Sequence, residues 1–294
     1  MGYTTDEMYK LFNYFAKAVM GISPKYLFSG MKEVRGIKLG GITSSYNIEA
    51  AIEEAGKLKN IKNIKDINMP IAIPTTDLIS DREIIFTNCE ALKGEEYIHD
   101  IEIGKAVRAS SSFPGMYAPF EYDKYQFVDG GIFDNLPTGE AKKLGVDKVI
   151  AIKFNLKSPR KNNAIYNIAM HSIDLMTENL IKESVKNSDC VIEIDLRDVK
   201  PFSISKLDFC YREGYMQTVD QISKIKKELG QMWLWENSRD RSKNHLFKMI
   251  FWSVPGILSH KLPIFYSILV WFQKNSKKAT KVLKIPWKSL HNRV

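Results

Sequence analysis

Cysteine is scarce. Cys89, Cys190 and Cys210 are the only three in 294 residues, and they are unevenly spaced. No Cys-x-x-Cys pair and no Cys/His ligand cluster occurs, so neither a disulfide framework nor a zinc site is indicated. A reducing, intracellular setting fits that usage. Histidine is nearly as sparse: His99, His171, His245, His260 and His291 sit in no recognisable catalytic context. Long apolar runs are missing too. The stretch 262–272 is apolar apart from Ser267, but a bilayer-spanning helix needs about 20 such residues. The first twenty residues carry Asp6, Glu7, Lys10 and Lys17 where a signal peptide would be apolar. Gly40-Gly41-Ile42-Thr43-Ser44-Ser45 lacks the lysine of a phosphate-binding loop and the spacing of a nucleophile elbow. No metal or other cofactor is expected.

What is present is an uneven charge. The formal net charge is +9. Residues 231–294 hold 12 Lys and Arg against 2 Asp and Glu, whereas the first 230 residues hold 31 against 32. All five tryptophans, Trp233, Trp235, Trp252, Trp271 and Trp287, lie in the same tail. A border near Gly230 therefore divides a body, 1–230, from a basic, Trp-rich, mostly helical extension, 231–294. Basic residues beside interfacial Trp and Phe suit a segment lying on an anionic membrane surface. No helix-turn-helix or aromatic-stacking pattern points to nucleic acid. At 44% hydrophobic residues the chain can bury a substantial core.

In the body, Thr4 and Glu7 fit a capping box ahead of an amphipathic helix over 4–19, with Met8, Leu11, Phe12, Phe15 and Val19 as its apolar stripe. Residues 22–45 read as loop, and 48–58 as a second helix. Residues 69–75 read as a buried strand ending in Thr76-Asp77, with 83–87 as its hairpin partner. Asp77 is assigned to hydrogen bonds within its turn. A short helix covers 103–110. Further on, a helix over 137–144 closes at Gly145, a strand covers 147–154, a long helix 164–187 and a strand 190–196. Tyr211, Tyr215, Val219, Ile222, Ile225 and Leu229 follow helical spacing as far as Gly230. Strand, helix, strand across residues 125–154 predicts a parallel pair.

The sequence Tyr125-Gln126-Phe127-Val128-Asp129-Gly130-Gly131 reads as a short strand that delivers a carboxylate to a glycine turn. The glycines permit a tight turn and close approach of other backbone. Pro137 then suits the first position of a helix. Asp129 is thereby placed at the carboxyl edge of a sheet, where open α/β sheets collect their active sites.

That stretch follows Arg108-Ala109-Ser110-Ser111-Ser112-Phe113-Pro114-Gly115-Met116-Tyr117-Ala118-Pro119-Phe120. Together they closely resemble the C-terminal half of the patatin-like phospholipase domain, and the similarity extends to 71–77 and Asn135-Leu136-Pro137. The resemblance implies a three-layer α/β/α fold and hydrolysis of lipid or phospholipid acyl esters by a Ser–Asp dyad, with no histidine. It implies that Asp129 is the catalytic base and that Asp129, Gly130 and Gly131 form the family's Asp-Gly-Gly motif. Ser110, Ser111 and Ser112 then fall in a packing and turn segment. Phe113-Pro114 extends the chain there, so these serines are read as satisfying buried backbone near the site. The family's nucleophile lies in a Gly-x-Ser-x-Gly elbow. This chain contains neither that motif nor a glycine-rich oxyanion stretch, and resembles a patatin domain that begins one βαβ unit late. By itself it is expected to be inactive, with bare strand edges beside Asp129 that favour aggregation. The alternative is a non-catalytic membrane-surface or lipid-binding remnant. Either way the chain is placed in the cytoplasm, at most peripheral to a membrane through 231–294.

Overall fold

A computed structural model describes residues 1–20, 45–155, 165–197, 199 and 204–229. The expected loop over 22–45 falls outside the described residues except for Ser45, and the tail 231–294 falls outside them entirely.

Helix α1, Thr5–Met20, begins as the capping box requires. The Thr4 N–H donates to Glu7 Oε2 at 2.7 Å, and the Glu7 N–H donates to Thr4 Oγ1 at 3.2 Å. Two of the donors that a helix start leaves orphaned are thus satisfied reciprocally. Helix α2, Tyr46–Lys57, buries Ile48, Ala51 and Ala55. Helix α3, Ile103–Ser110, packs against it. The approach is close because residue 104 is glycine: a Cβ there would lie 2.9 Å from the Glu49 carbonyl oxygen.

Five strands form the first sheet: β1, Ala72–Asp77; β2, Arg82–Thr87; β3, Tyr97–Ile98; β4, Phe120–Tyr122; and β5, Tyr125–Asp129. Their order is β3-β2-β1-β5-β4. β1 pairs antiparallel with β2 as the expected hairpin, and antiparallel with β5, with Thr75 opposite Asp129. The core on this sheet includes Ile64, Ile84, Phe86, Ile101, Ala106 and Phe127. Phe86 meets Phe127 edge to face, with ring centroids 5.3 Å apart, an arrangement that suits the ring quadrupoles.

A second, two-stranded parallel sheet pairs β6, Ile150–Asn155, with β7, Cys190–Asp195. Helix α5, Ile165–Lys186, connects them. Helix α4, Thr138–Lys143, precedes β6. Helices α6, Leu207–Asp220, and α7, Ile222–Leu229, follow β7. Cys210, Ile225 and Leu229 share a cluster with Ile152, Ile192 and Ile194. The architecture is an α/β domain of the expected class, with helices packed on mixed sheet.

Four expectations change. The predicted parallel pairing of 125–128 with 147–154 does not form; β6 takes β7 instead. The reason is that β5 has no free edge. β1 lies on one side and β4 on the other, and beyond the end of β4 the Asp129 N–H donates to the Ser112 carbonyl at 3.0 Å. The bare edges expected beside Asp129 are accordingly filled. Pro137 sits just before α4, as its cap, and its carbonyl accepts the Ala141 N–H at 3.2 Å. The helix predicted through 211–229 breaks at Gln221. Its buried face is Leu207, Cys210, Gly214 and Thr218, so Tyr211 and Tyr215 are only half-buried.

The break serves the sheet. Gln217 presents its amide to the outer edge of β7: Oε1 accepts the Asp195 N–H at 2.7 Å and Nε2 donates to the Asp195 carbonyl at 3.0 Å. Gln221 does the same for Glu193, at 3.1 Å and 2.7 Å. Lys224 Nζ donates to the Val191 carbonyl at 2.9 Å. Side chains thus satisfy backbone groups that an edge strand otherwise offers to another chain. Replacing both glutamines with alanine removes four such bonds, each contributing about 1 kcal/mol net. The double variant should melt lower and self-associate. Thermal melts with light scattering test this; a monodisperse sample with an unchanged melt would refute it.

Candidate active site

Asp129 is the last residue of β5 and is 1% exposed. Backbone bonds fix it from two sides. Its N–H reaches Ser112, and its carbonyl accepts Thr76 Oγ1 at 3.1 Å. Its carboxylate caps the 3₁₀ turn Gly130–Ile132, with Oδ1 accepting the Gly131 N–H at 2.9 Å. Gly130 lies against β1: a Cβ there would stand 2.3 Å from the Pro74 carbonyl oxygen. The glycine is required by close approach, since its φ is not positive. The Asp129, Gly130 and Gly131 expected to form one motif are therefore together in one turn.

Beneath this turn lies a buried polar chain. Arg108 Nη1 pairs with Glu49 Oε2 at 2.8 Å, with both side chains about nine-tenths buried. Arg108 Nε donates to Ser45 Oγ at 3.1 Å, and Ser45 Oγ lies 3.0 Å from Ser112 Oγ. The Ser112 hydroxyl donates to the Arg108 carbonyl at 2.8 Å. The guanidinium also lies over the Phe120 ring, 4.6 Å from its centroid, as cation–π attraction favours. Ser112 is 0% exposed and bonds buried backbone, as its position in the sequence suggested. Glu49 and Ser45 were not legible as site residues. They stand some sixty positions from Arg108 and Ser112, and only the α2–α3 packing joins them.

The other acids near the turn differ in character. Asp77 accepts from the Ser80 hydroxyl at 2.6 Å and from the N–H groups of Ser80 at 3.0 Å, Ile79 at 3.3 Å and Gln126 at 2.9 Å. Burial opposes its charge, but these donors outweigh it and hold its carboxyl below the usual range. Asp134 accepts the Leu136 N–H at 3.0 Å and Ser184 Oγ at 3.2 Å. Burial, aided by the charge of Glu140, nevertheless pushes it up. Both acids form turn hydrogen bonds, as expected for Asp77. Glu83 faces Asp134, Glu140 and Lys143, and burial first, then the two acids, raise it to about 7. Glu140 is itself held by Lys143 at 2.6 Å and by the Tyr97 hydroxyl at 3.3 Å.

Residues 1–142 match the family model of the patatin-like phospholipases. A probable lipid hydrolase of Invertebrate iridescent virus 6 is 26% identical over 176 residues, covering 56% of this chain and 54% of the relative. An uncharacterized NTE family protein of Mycobacterium tuberculosis is 30% identical over 120 residues, covering 37% of this chain and 30% of the relative. A lysophospholipase of Candida albicans is 44% identical over 46 residues, 16% of this chain and 3% of the relative. The chain thus spans about half or less of the length of the curated relatives it matches.

Glu83 gives a pH test. Its folded pKa lies above the ordinary 4.5, so the folded chain holds this proton more tightly than the unfolded one. Its ionisation then costs stability progressively as pH rises from 4.5 through about 7. Glu83→Gln should leave Tm nearly unchanged near pH 5 and raise it near pH 8. Equal shifts at both pH values would contradict this origin.

Proposed function

We propose that this chain supplies the base of a lipid acyl hydrolase that works by a Ser–Asp dyad, with Asp129 taking the proton of a serine nucleophile. The observation that carries the reading is the buried Asp129 at a strand end, held by the Gly131 N–H within the family-matched segment. The lipid hydrolase and lysophospholipase names among the relatives support a lipid ester as substrate. A carboxylate is a weak base in water and must be oriented and partly desolvated to act on a serine hydroxyl. Asp129 meets both conditions: its exposure is 1%, and its backbone and carboxylate are fixed by the bonds described above. The glycines bring the strand end close enough for a second turn to meet it.

The other two parts of the chemistry, a nucleophile and donors for the developing oxyanion, need the Gly-x-Ser-x-Gly and glycine-rich segments that this sequence lacks. The chain assayed by itself should neither cleave a short-chain ester nor react with a serine-directed fluorophosphonate. With a Gly-x-Ser-x-Gly unit supplied in cis and turnover established, Asp129→Asn should lower turnover by about 10²–10⁴-fold. Asp77→Asn and Asp134→Asn should lower Tm more than turnover. Near-full turnover in Asp129→Asn would dismiss the assignment. A non-catalytic lipid-binding role is the reading left if no serine-bearing unit restores hydrolysis.

We further propose that residues 231–294 hold the chain on anionic membrane, through their twelve basic residues and five tryptophans. Among the described residues no helix is long and apolar enough to cross a membrane. Flotation with anionic vesicles should succeed at low salt and weaken at high salt. Equal flotation with neutral vesicles would remove the electrostatic part, and none with either would remove the proposal.

A further inference from the structure

We propose that Arg108 is a positioning residue for Asp129, acting through Ser45 and Ser112. The inference rests on the reading of Asp129 as base but is tested independently of it. Arg108 is the point at which four parts of the fold meet. Its guanidinium holds Glu49 on α2 and Ser45 ahead of α2, and it covers Phe120 on β4. Its own carbonyl receives the Ser112 hydroxyl.

The hydrogen-bond directions form one consistent circuit. Arg108 Nε–H donates to Ser45 Oγ, the Ser45 hydroxyl is then free to donate to Ser112 Oγ, and the Ser112 hydroxyl donates back to the Arg108 carbonyl. A closed circuit of this kind fixes every member's rotamer, because each hydroxyl has its donor and acceptor sides assigned. Ser112 is thereby locked, and its carbonyl is the acceptor for the Asp129 N–H. The strand end that carries the carboxylate is thus referenced to the Glu49–Arg108 ion pair. The pair depends on the guanidinium geometry: its planar fork serves Glu49 with Nη1 and Ser45 with Nε at once. A lysine ammonium is a single point charge and cannot reproduce both contacts in the same place.

The test is amide hydrogen exchange, resolved by residue, on the full chain. Arg108→Lys keeps the charge that Glu49 requires and breaks the bond to Ser45. Ser45→Ala removes only the hydroxyl. Both should speed exchange at the Asp129 amide by about tenfold, the worth of roughly one hydrogen bond. Exchange at Ile152 and Ile192, in the β6–β7 sheet, should stay as in the parent. Unchanged exchange at Asp129 in these variants would overturn the proposal. So would acceleration of the same size at Ile152 and Ile192, which would make Arg108 a general core residue. If Arg108→Lys does not fold, Ser45→Ala decides alone. Because exchange reports backbone fixation and not hydrolysis, Asp129 can fail as a base while this circuit stands, and the reverse.

Discussion

There is no room for a side chain at residue 130, and much of the structure follows from that. With the Pro74 carbonyl oxygen 2.3 Å from where a Cβ would sit, β5 can run directly against β1 and then turn at once. Two threonine hydroxyls complete the seam. Thr75 Oγ1 donates to the Val128 carbonyl at 2.8 Å, and Thr76 Oγ1 donates to that of Asp129. The chain leaves the strand through a 3₁₀ turn whose Gly131 N–H donates back to the Asp129 carboxylate. Any bulk at 130 would push β5 off β1, and the carboxylate, the turn and the threonine bonds would move together.

The sequence was most informative where the signal is local. The capping box at Thr4 and Glu7, the hairpin either side of Asp77 and the helix Ile103–Ser110 all depend on residues a few positions apart. The Asp129 turn belongs to this group, since a strand, an acid and two glycines are consecutive. Pairing choices were less legible. Whether β6 would join β5 or β7 depended on β5 having β4 and Ser112 on its far side, which no periodicity reveals. The buried circuit was hidden for the same reason. A serine reads as a cap or a turn residue until the packing of two helices places another serine 3.0 Å from it.

Two glutamates, Glu49 buried and Glu83 half-buried, stand in opposite surroundings. Glu49 is matched by a guanidinium at 2.8 Å, a contact that fixes both partners. Glu83 keeps one oxygen with no hydrogen-bond partner among the described residues, and burial first, then two facing acids, raise its pKa to about 7. The partner distinguishes them. The first pair lies under the Asp129 turn. The second lies across β1 from it, with Glu83 opposite Thr76 in register.

The glutamine edge of β7 has a geometric consequence. Residues four apart on a helix are separated by about 6 Å along its axis, and alternate residues of a strand by about 6.6 Å. Gln217 and Gln221 can therefore meet Asp195 and Glu193 together only while both spacings are intact. The pair works as a length gauge between helix and strand. One residue inserted within 193–195 or within 217–221 would put the two amides out of step and lose at least two of the four bonds. The same insertion in the connection between β7 and α6 would leave them untouched. Length variation among natural relatives of this chain should then concentrate in that connection and avoid the two gauged segments.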